Sequence, residues 1–252
     1  MSKNDKKPEK NFLTEDCDKI GEIAVHYGFS VVKTLSIHTS IASLAKPFKE
    51  FDYYSDVEEK IALTKWYMEE LTSLPQPIMI HYKKPLLGSV VKKKPTEEMY
   101  GFEIMGSSKP ESEALILKAT LAVLHDLGYD NLCVDINSIG DKESVSKFER
   151  ELNTYFRKHS HELPAKVKEA FKKNHYSIVN GNLSGIEELH NIPQSMSSLS
   201  DLSRCHFKEV LEYMEVFDIV YKIKPSLLPN KLYLSLIHIS EPTRLRRISY
   251  AV

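Results

Sequence analysis

The residues best placed to do chemistry lie between Tyr100 and Asp141, in YGFEIMGSSKPESEALILKATLAVLHDLGYDNLCVDINSIGD. Glu103 sits in an alternating run: Tyr100, Phe102 and Ile104 share one face, and Gly101, Glu103 and Met105 the other. A carboxylate projecting from a strand, with a helix packed behind the sheet, faces a ligand. The plainer alternative is an edge or solvated glutamate. Asp135 and Asn137 share a face of a second strand. They are expected to fix the turn at Ser138–Gly140 rather than to react. The run Lys92-Lys93-Lys94 can meet phosphates, although a short charge run is more often a solvated loop. His159 and His161 stand near a helix end. Neutral surface histidines are the plainer reading there, and no metal site is expected.

These groups need a scaffold, and the boundaries of the central stretch are signalled. Gly106 and two serines break the strand over 100–105. Ser108 or Ser112 is expected to cap the next helix, with Pro110 in its first turn, where a missing N–H is not missed. Ala114–Leu127 is apolar nearly all round and predicts a buried helix that Gly128 stops. Leu132, Val134 and Ile136 then alternate with Cys133, Asp135 and Asn137 in a strand.

Upstream, Phe12–Tyr27 predicts a helix capped by Thr14 and ended by Gly28, followed by a strand over Phe29–Leu35. Ile37–Phe51 has little period. Val57–Leu74 predicts an amphipathic helix through Ile61, Leu63, Trp66, Met68 and Leu71, ended by Pro75 and Pro77. A short strand comes next at Ile78–Tyr82, then a loop or ribbon over Lys83–Glu98, which can be a long hairpin. Downstream, helices are expected at Lys142–Arg157, Pro164–Lys173 and Phe207–Phe217, and a strand at Asp218–Lys224. The segment 174–204 carries little period. There is no internal repeat. Strands with helices between them give α+β or α/β.

Composition narrows the classes. At 252 residues the chain supports one large domain, or one with an insertion. A hydrophobic content of 42% and a charged content of 27% are globular values. A net charge of −1 gives no global field for nucleic acid or anionic membrane, so any polyanion contact is local. Cys17, Cys133 and Cys205 form no CxxC pair and no even framework, which points to a reducing cytoplasm. No apolar run approaches the ~20 residues that span a bilayer. The first eleven residues read as a disordered basic arm without the apolar core of a secretory signal.

FEIMG (102–106), SEALIL (112–117) and INSIGD (136–141) resemble the catalytic core of the histidyl-tRNA synthetases, class II synthetases, and their non-catalytic paralogues. HYGFSVVKT (26–34) is similar to the family's dimer-forming first motif. Phe148–Asn174 resembles the start of its insertion domain, and 206–233 the segment leading to LVRGLDYY. The resemblance covers roughly residues 12–234. It implies an antiparallel sheet flanked by helices, with a small helical insertion and a C-terminal truncation. The implied divisions are 12–140 as first part of the core, 141–205 as insertion, and 206–234 as return to the core.

The same resemblance exposes losses. Amino-acid activation brings a carboxylate against the α-phosphate of ATP. Fixed arginines must neutralise the developing charge, usually with magnesium. Pairing Pro85 and Gly88 with the proline and glycine of the second motif puts His81 on the catalytic arginine, Lys83 on the glutamate and Ser89 on the later arginine. Met99 falls on a glutamine, Leu35 on the first-motif proline, Pro229 on the arginine of LVRGLDYY and Leu232 on its aspartate. LTKWYM (63–68) stands where the family has LRPEgT. Glu103 and Tyr233 survive as ligand-binding candidates. Glu103 can hold an ammonium or an imidazole, or persist as an inherited polar residue in an emptied pocket. Each arginine lost costs roughly 3 kcal/mol or more of transition-state stabilisation. Lysine and histidine do not copy the planar guanidinium. In the family the loop holding Lys92–Lys94 approaches the tRNA acceptor end.

The expectation is therefore a catalytically degenerate histidyl-tRNA-synthetase-like protein, a binding or regulatory subunit of the cytoplasm. Its expected partners are a second copy or a synthetase-like or histidine-biosynthesis protein, with tRNA as a further candidate and no membrane. The alternative is a divergent active histidine–tRNA ligase, and only then are ATP and Mg2+ required. From Ser235 the reading changes: SLIHISEPTRLRRISYAV resembles translated adapter or vector read-through. A non-native tail over 235–252 should pack poorly and leave part of the sheet unfilled.

Overall fold

The computed structural model describes residues 17–32, 57–84, 99–161, 163–173, 175–178, 191–228, 237–240 and 247–250. They fall into two compact units, divided after Ser108. The stretch from Tyr100 to Asp141 therefore contributes to both, and residues 141–205 lie inside the second.

The first unit is a three-stranded sheet, in the order β1 (Ser30–Val32), β2 (Ile78–Lys84), β3 (Met99–Met105). β1 runs parallel to β2, and β2 antiparallel to β3, with Lys84 opposite Met99. The arms of the expected hairpin are thus in place; residues 85–98 between them lie outside the described residues. One face carries Val32, Ile80 and Tyr82 packed with Leu63, Trp66, Ile78 and Met105. The other carries Phe29 edge-on to Phe102 at 5.1 Å.

Helix α1 (Lys19–His26) is shorter than expected, and Asp18 caps it: the Gly21 N–H donates to Asp18 Oδ1 at 2.8 Å. Helix α2 (Val57–Trp66) continues as a π-helical turn over Tyr67–Leu71. That wider turn changes the phase of the apolar stripe. Met68, expected inside, is 68% exposed, while Leu63 and Leu71 are buried. The end of this segment is held by a side chain: Gln76 Nε2 donates to the carbonyls of Leu71 and Leu74, both at 3.0 Å.

In the second unit α3 (Pro110–Asp126) packs along α6 (Asp201–Val216), over β4 (Cys133–Ile136). Ala114, Leu117 and Leu124 meet Val134, Ile136, Phe207, Val210 and Met214 there. Neither Ser108 nor Ser112 caps α3. Lys109 holds the cap position without a side-chain bond, and Pro110 opens the helix as expected. Helix α6 starts six residues before the expected Phe207, because Ser200 caps it: the Ser203 N–H donates to Ser200 Oγ at 3.2 Å. Helices α4 (Lys142–His159) and α5 (Ala165–Lys173) carry the apolar faces read from the sequence. Phe148 and Leu152 pack with Tyr176 and Leu228, and Leu163, Val167 and Phe171 with Phe156.

Helices α1, α3 and α6 end alike. Gly28, Gly128 and Asp218 take φ of +88, +86 and +56°. The N–H of each next residue returns to the helix, from Phe29 to Ala24, Tyr129 to Leu124 and Ile219 to Met214. This 6→1 closure satisfies carbonyls that the helix end leaves open.

The second sheet has the order β5 (Tyr221–Ile223), β4, β6 (Ile237–Ser240), β7 (Arg247–Tyr250). β4 is parallel to β5 and antiparallel to β6, and β6 is antiparallel to β7. The gap expected in the sheet is not found beside β4. Ile237 pairs with Ile136 and Ser240 with Cys133, so the position beside β4 is filled. The α+β expectation holds.

Candidate functional site

The candidate site is the face of the β2–β3 hairpin that bears Glu103. Side chains alternate along a strand, and directly opposed residues share a face. Glu103 is opposite Ile80, Gly101 opposite Tyr82, and Met105 opposite Ile78. The described neighbours of Glu103 on β2 are therefore aliphatic or phenolic. Tyr82 Oη donates to Glu103 Oε1 at 3.0 Å. Leu63 and Trp66 of α2 pack on the same face. A helix, α2, thus packs on Glu103's own face. The helix expected behind the sheet, α3, has its core partners in β4 and α6.

His81 is in register with Phe102 and so lies on the opposite face from Glu103. It is 2% exposed. Its Nδ1 is 3.1 Å from the Gly101 carbonyl oxygen, which can only accept, so Nδ1 carries the proton. Its ring stacks on Tyr100 at 5.8 Å and tilts against Phe102 at 4.5 Å. Burial pushes its pKa below the ordinary histidine value, against the opposing effects of Asp18 and the Gly101 carbonyl. A neutral, stacked imidazole facing away from Glu103 does not perform an arginine's task. Lys83 also lies on the far face, its Nζ 5.6 Å from the centre of the Tyr100 ring. Tyr100 donates to Asp18 Oδ2 at 3.2 Å.

The other candidates fall at the end of β3, on α4 or outside the described residues. Met99 opens β3 opposite Lys84. Leu35, Ser89, Lys92, Lys93, Lys94, Pro229, Leu232 and Tyr233 lie outside the described residues. The His159 ring lies 4.5 Å from that of Tyr155. Among the described residues no three His, Cys, Asp or Glu side chains converge as metal ligands.

Asp135 and Asn137, expected to fix the turn at 138–140, have partners far along the chain. Lys224 Nζ is 2.9 Å from Asp135 Oδ2. Asn137 Nδ2 donates to Ser195 Oγ at 3.1 Å, to the Pro225 carbonyl at 3.2 Å and to the Leu227 carbonyl at 3.0 Å. Asn137 thereby ties β4 to two distant loops. Asp141, just past the turn, joins two helix starts. It accepts from the Ser144 N–H at 2.9 Å and from Ser200 Oγ at 2.6 Å, so one carboxylate serves both α4 and α6. Those bonds, the Ser144 N–H first, hold it well below the usual carboxylate range.

Two features escaped the reading of motifs. One is Tyr82, an alternating apolar position until its hydroxyl is located. The other was visible in plain sequence: the first arginine of the chain is Arg150. Every position of the first unit lacks a guanidinium. The described side chains around Glu103 therefore do not fit a nucleoside triphosphate with magnesium, and they support no phosphoryl step. What they offer is a carboxylate, a phenol and an apolar wall.

No protein-family model matches the chain. Among curated proteins it is 28% identical over 187 residues to the histidine–tRNA ligase of Halothermothrix orenii, covering 74% of this chain and 41% of that protein. It is 25% identical over 150 residues to that of Rippkaea orientalis, covering 59% of this chain and 34% of that protein. The chain thus spans well under half the length of these curated relatives. Among solved structures, apo histidyl-tRNA synthetase of S. aureus aligns with a TM-score of 0.60 at 19% identity, over 86% of this chain and 54% of that one. An ATP phosphoribosyltransferase regulatory subunit/histidyl-tRNA synthetase from Bacillus halodurans aligns with a TM-score of 0.55 at 14% identity, over 98% of this chain and 76% of that one.

Proposed function

We propose that this chain, a member of the histidyl-tRNA-synthetase-like family, acts as a catalytically degenerate binding or regulatory subunit. One observation carries the reading. Glu103 faces Ile80 and Tyr82, while no arginine precedes Arg150. Two anions brought together for amino-acid activation would meet no fixed guanidinium on that unit, and charge stabilisation is the main demand of such chemistry. A synthetase-like scaffold without it retains surfaces for assembly. The expected assembly is with a second copy, or with a synthetase-like or histidine-biosynthesis enzyme, in the cytoplasm. The Bacillus halodurans neighbour, described as a regulatory subunit/histidyl-tRNA synthetase, supports this by fold alone. Among the described residues no helix is long and apolar enough to cross a membrane.

The second reading is a divergent histidine–tRNA ligase, and the histidine–tRNA ligases among the curated relatives favour it. It would need ATP, Mg2+ and tRNA, with Lys92, Lys93 and Lys94 as contacts to the nucleic acid and Tyr233 beside the ligand. Histidine-dependent exchange of pyrophosphate into ATP, measured on the full-length protein, separates the two. The regulatory reading expects folded protein without turnover. Clear turnover overturns it.

A further inference from the structure

Tyr82 fills the space beside the Glu103 carboxylate on the hairpin face. It stands directly opposite Gly101. A Cβ on residue 101 would lie 2.3 Å from Tyr82 Cζ and 2.7 Å from its hydroxyl oxygen. The phenol therefore lies across the glycine backbone, and its hydroxyl ends at Glu103. The residue is 1% exposed and packs with Val32, Leu63 and Ile80. A phenol O–H gives a carboxylate a hydrogen bond assisted by the acceptor's charge alone. An ammonium or imidazolium would give it a bond of the same kind and bring the opposite charge as well. The ring and a ligand as large as an imidazolium cannot share the volume above Gly101, whereas a cation as small as ammonium needs only the place of the hydroxyl.

We propose that Tyr82 is the resident occupant of the Glu103 site, an intramolecular stand-in for a small organic cation, and that it keeps the site closed. This rests on reading Glu103 as the remnant of a ligand site. An aromatic ring covering a strand glycine for packing alone would take the same position. It differs in one respect: nothing would then depend on the hydroxyl or on the charge of Glu103.

The test uses the full chain and two probes. The first is ammonium chloride against potassium chloride at equal ionic strength, read as a thermal shift. Tyr82→Phe keeps the ring and removes the donor. Its melting temperature should rise in ammonium, while that of the wild type and of Tyr82→Phe with Glu103→Gln should not. The second is imidazolium, titrated by calorimetry into Tyr82→Ala. Binding should appear there, be absent from wild type, and weaken by roughly tenfold or more with Glu103→Gln, as for one charged hydrogen bond. If Tyr82→Ala does not fold, the Tyr82→Phe comparison decides. A wild type that binds either probe through Glu103 overturns the closure and leaves the ligand-site reading standing. No response in any variant, or uptake indifferent to Glu103, overturns both. Neither outcome bears on pyrophosphate exchange, which tests the absence of catalysis separately.

Discussion

His81 and Glu103 leave the β2–β3 hairpin by opposite faces. Glu103 is in register with Ile80, and His81 with Phe102. The side-chain period of a strand is two, so a one-residue difference in register moves a whole set of side chains to the other face. Matching the proline and glycine of a motif put His81 at the arginine position. The observed ladder puts Ile80 and Tyr82 on Glu103's side instead. Neither assignment supplies a guanidinium, because none precedes Arg150.

The far face makes stability depend on pH. Burial pushes the His81 pKa down, so the folded state favours the neutral ring, which donates from Nδ1 to the Gly101 carbonyl. The unfolded chain takes up a proton near the ordinary histidine pKa of about 6.5. The contribution is thus fully present above that pH and is lost as pH falls from there toward the lower folded value. Urea denaturation from neutral pH downward should show wild type losing more stability than His81→Phe. The negative charge of Asp18, the cap of α1, opposes the shift. Asp18→Asn should therefore steepen the loss. Parallel curves for wild type and His81→Phe would contradict the assignment.

The near face couples Gly101 to Tyr82. A methyl group on residue 101 would overlap the Tyr82 ring, and the ring is too buried to swing clear. Gly101→Ala should cost about 1–3 kcal/mol, as overpacking does. In a Tyr82→Ala background most of that cost should disappear. A double-mutant cycle on the free energies of unfolding measures the coupling, expected at about 1 kcal/mol or more for residues in direct contact. Additive costs would show that the ring does not rest on the glycine.

The scaffold was legible where backbone chemistry leaves a residue signature. Gly28 and Gly128 mark helix ends because only glycine takes that conformation without a Cβ penalty. Pro110 marks a helix start, and alternation marks β3. Other features had no such mark. The π turn at Tyr67–Leu71 breaks the 3.6-residue period on which the stripe was read, so Met68 fell on the wrong side of it. Asp18 and Ser200 cap their helices, and residue type alone does not single them out from the other serines, threonines and acids nearby. Site residues were the least legible, since cross-strand register decides which of them meet. The missing arginine was the plainest signal in the chain, and it is compositional rather than a motif.

Asn137 should be more costly to change than its place after a short strand suggests. It is 4% exposed and donates to the carbonyls of Pro225 and Leu227. Asn137→Leu would orphan both, at about 1–3 kcal/mol for each buried group left unpaired. Asn137→Asp keeps the shape and removes the donors, setting a carboxylate against two carbonyl oxygens. Burial and repulsion would raise that new carboxyl's pKa. The variant should then be least stable at neutral pH and recover as pH falls through the raised value, where the acid can donate. Chemical denaturation across that range checks it, and a flat profile would show the carbonyls satisfied by other donors.

Asp218 offers the opposite sign. It holds the same left-handed position after α6 that glycines hold after α1 and α3, with φ of +56°. The Ile219 N–H closes onto the Met214 carbonyl at 2.9 Å, so the conformation is set by the helix end and not by the Asp218 side chain. An L-residue with a Cβ is strained in that region, and glycine is not. Asp218→Gly should therefore stabilise the protein, by up to about 1 kcal/mol after glycine's greater loss of chain entropy is counted. Asp218→Val should destabilise it, since a β-branched residue fits the region worst. Thermal melts of the three proteins should rank Gly above Asp above Val. A glycine variant less stable than wild type would mean that the Asp218 side chain contributes more than its backbone strain costs.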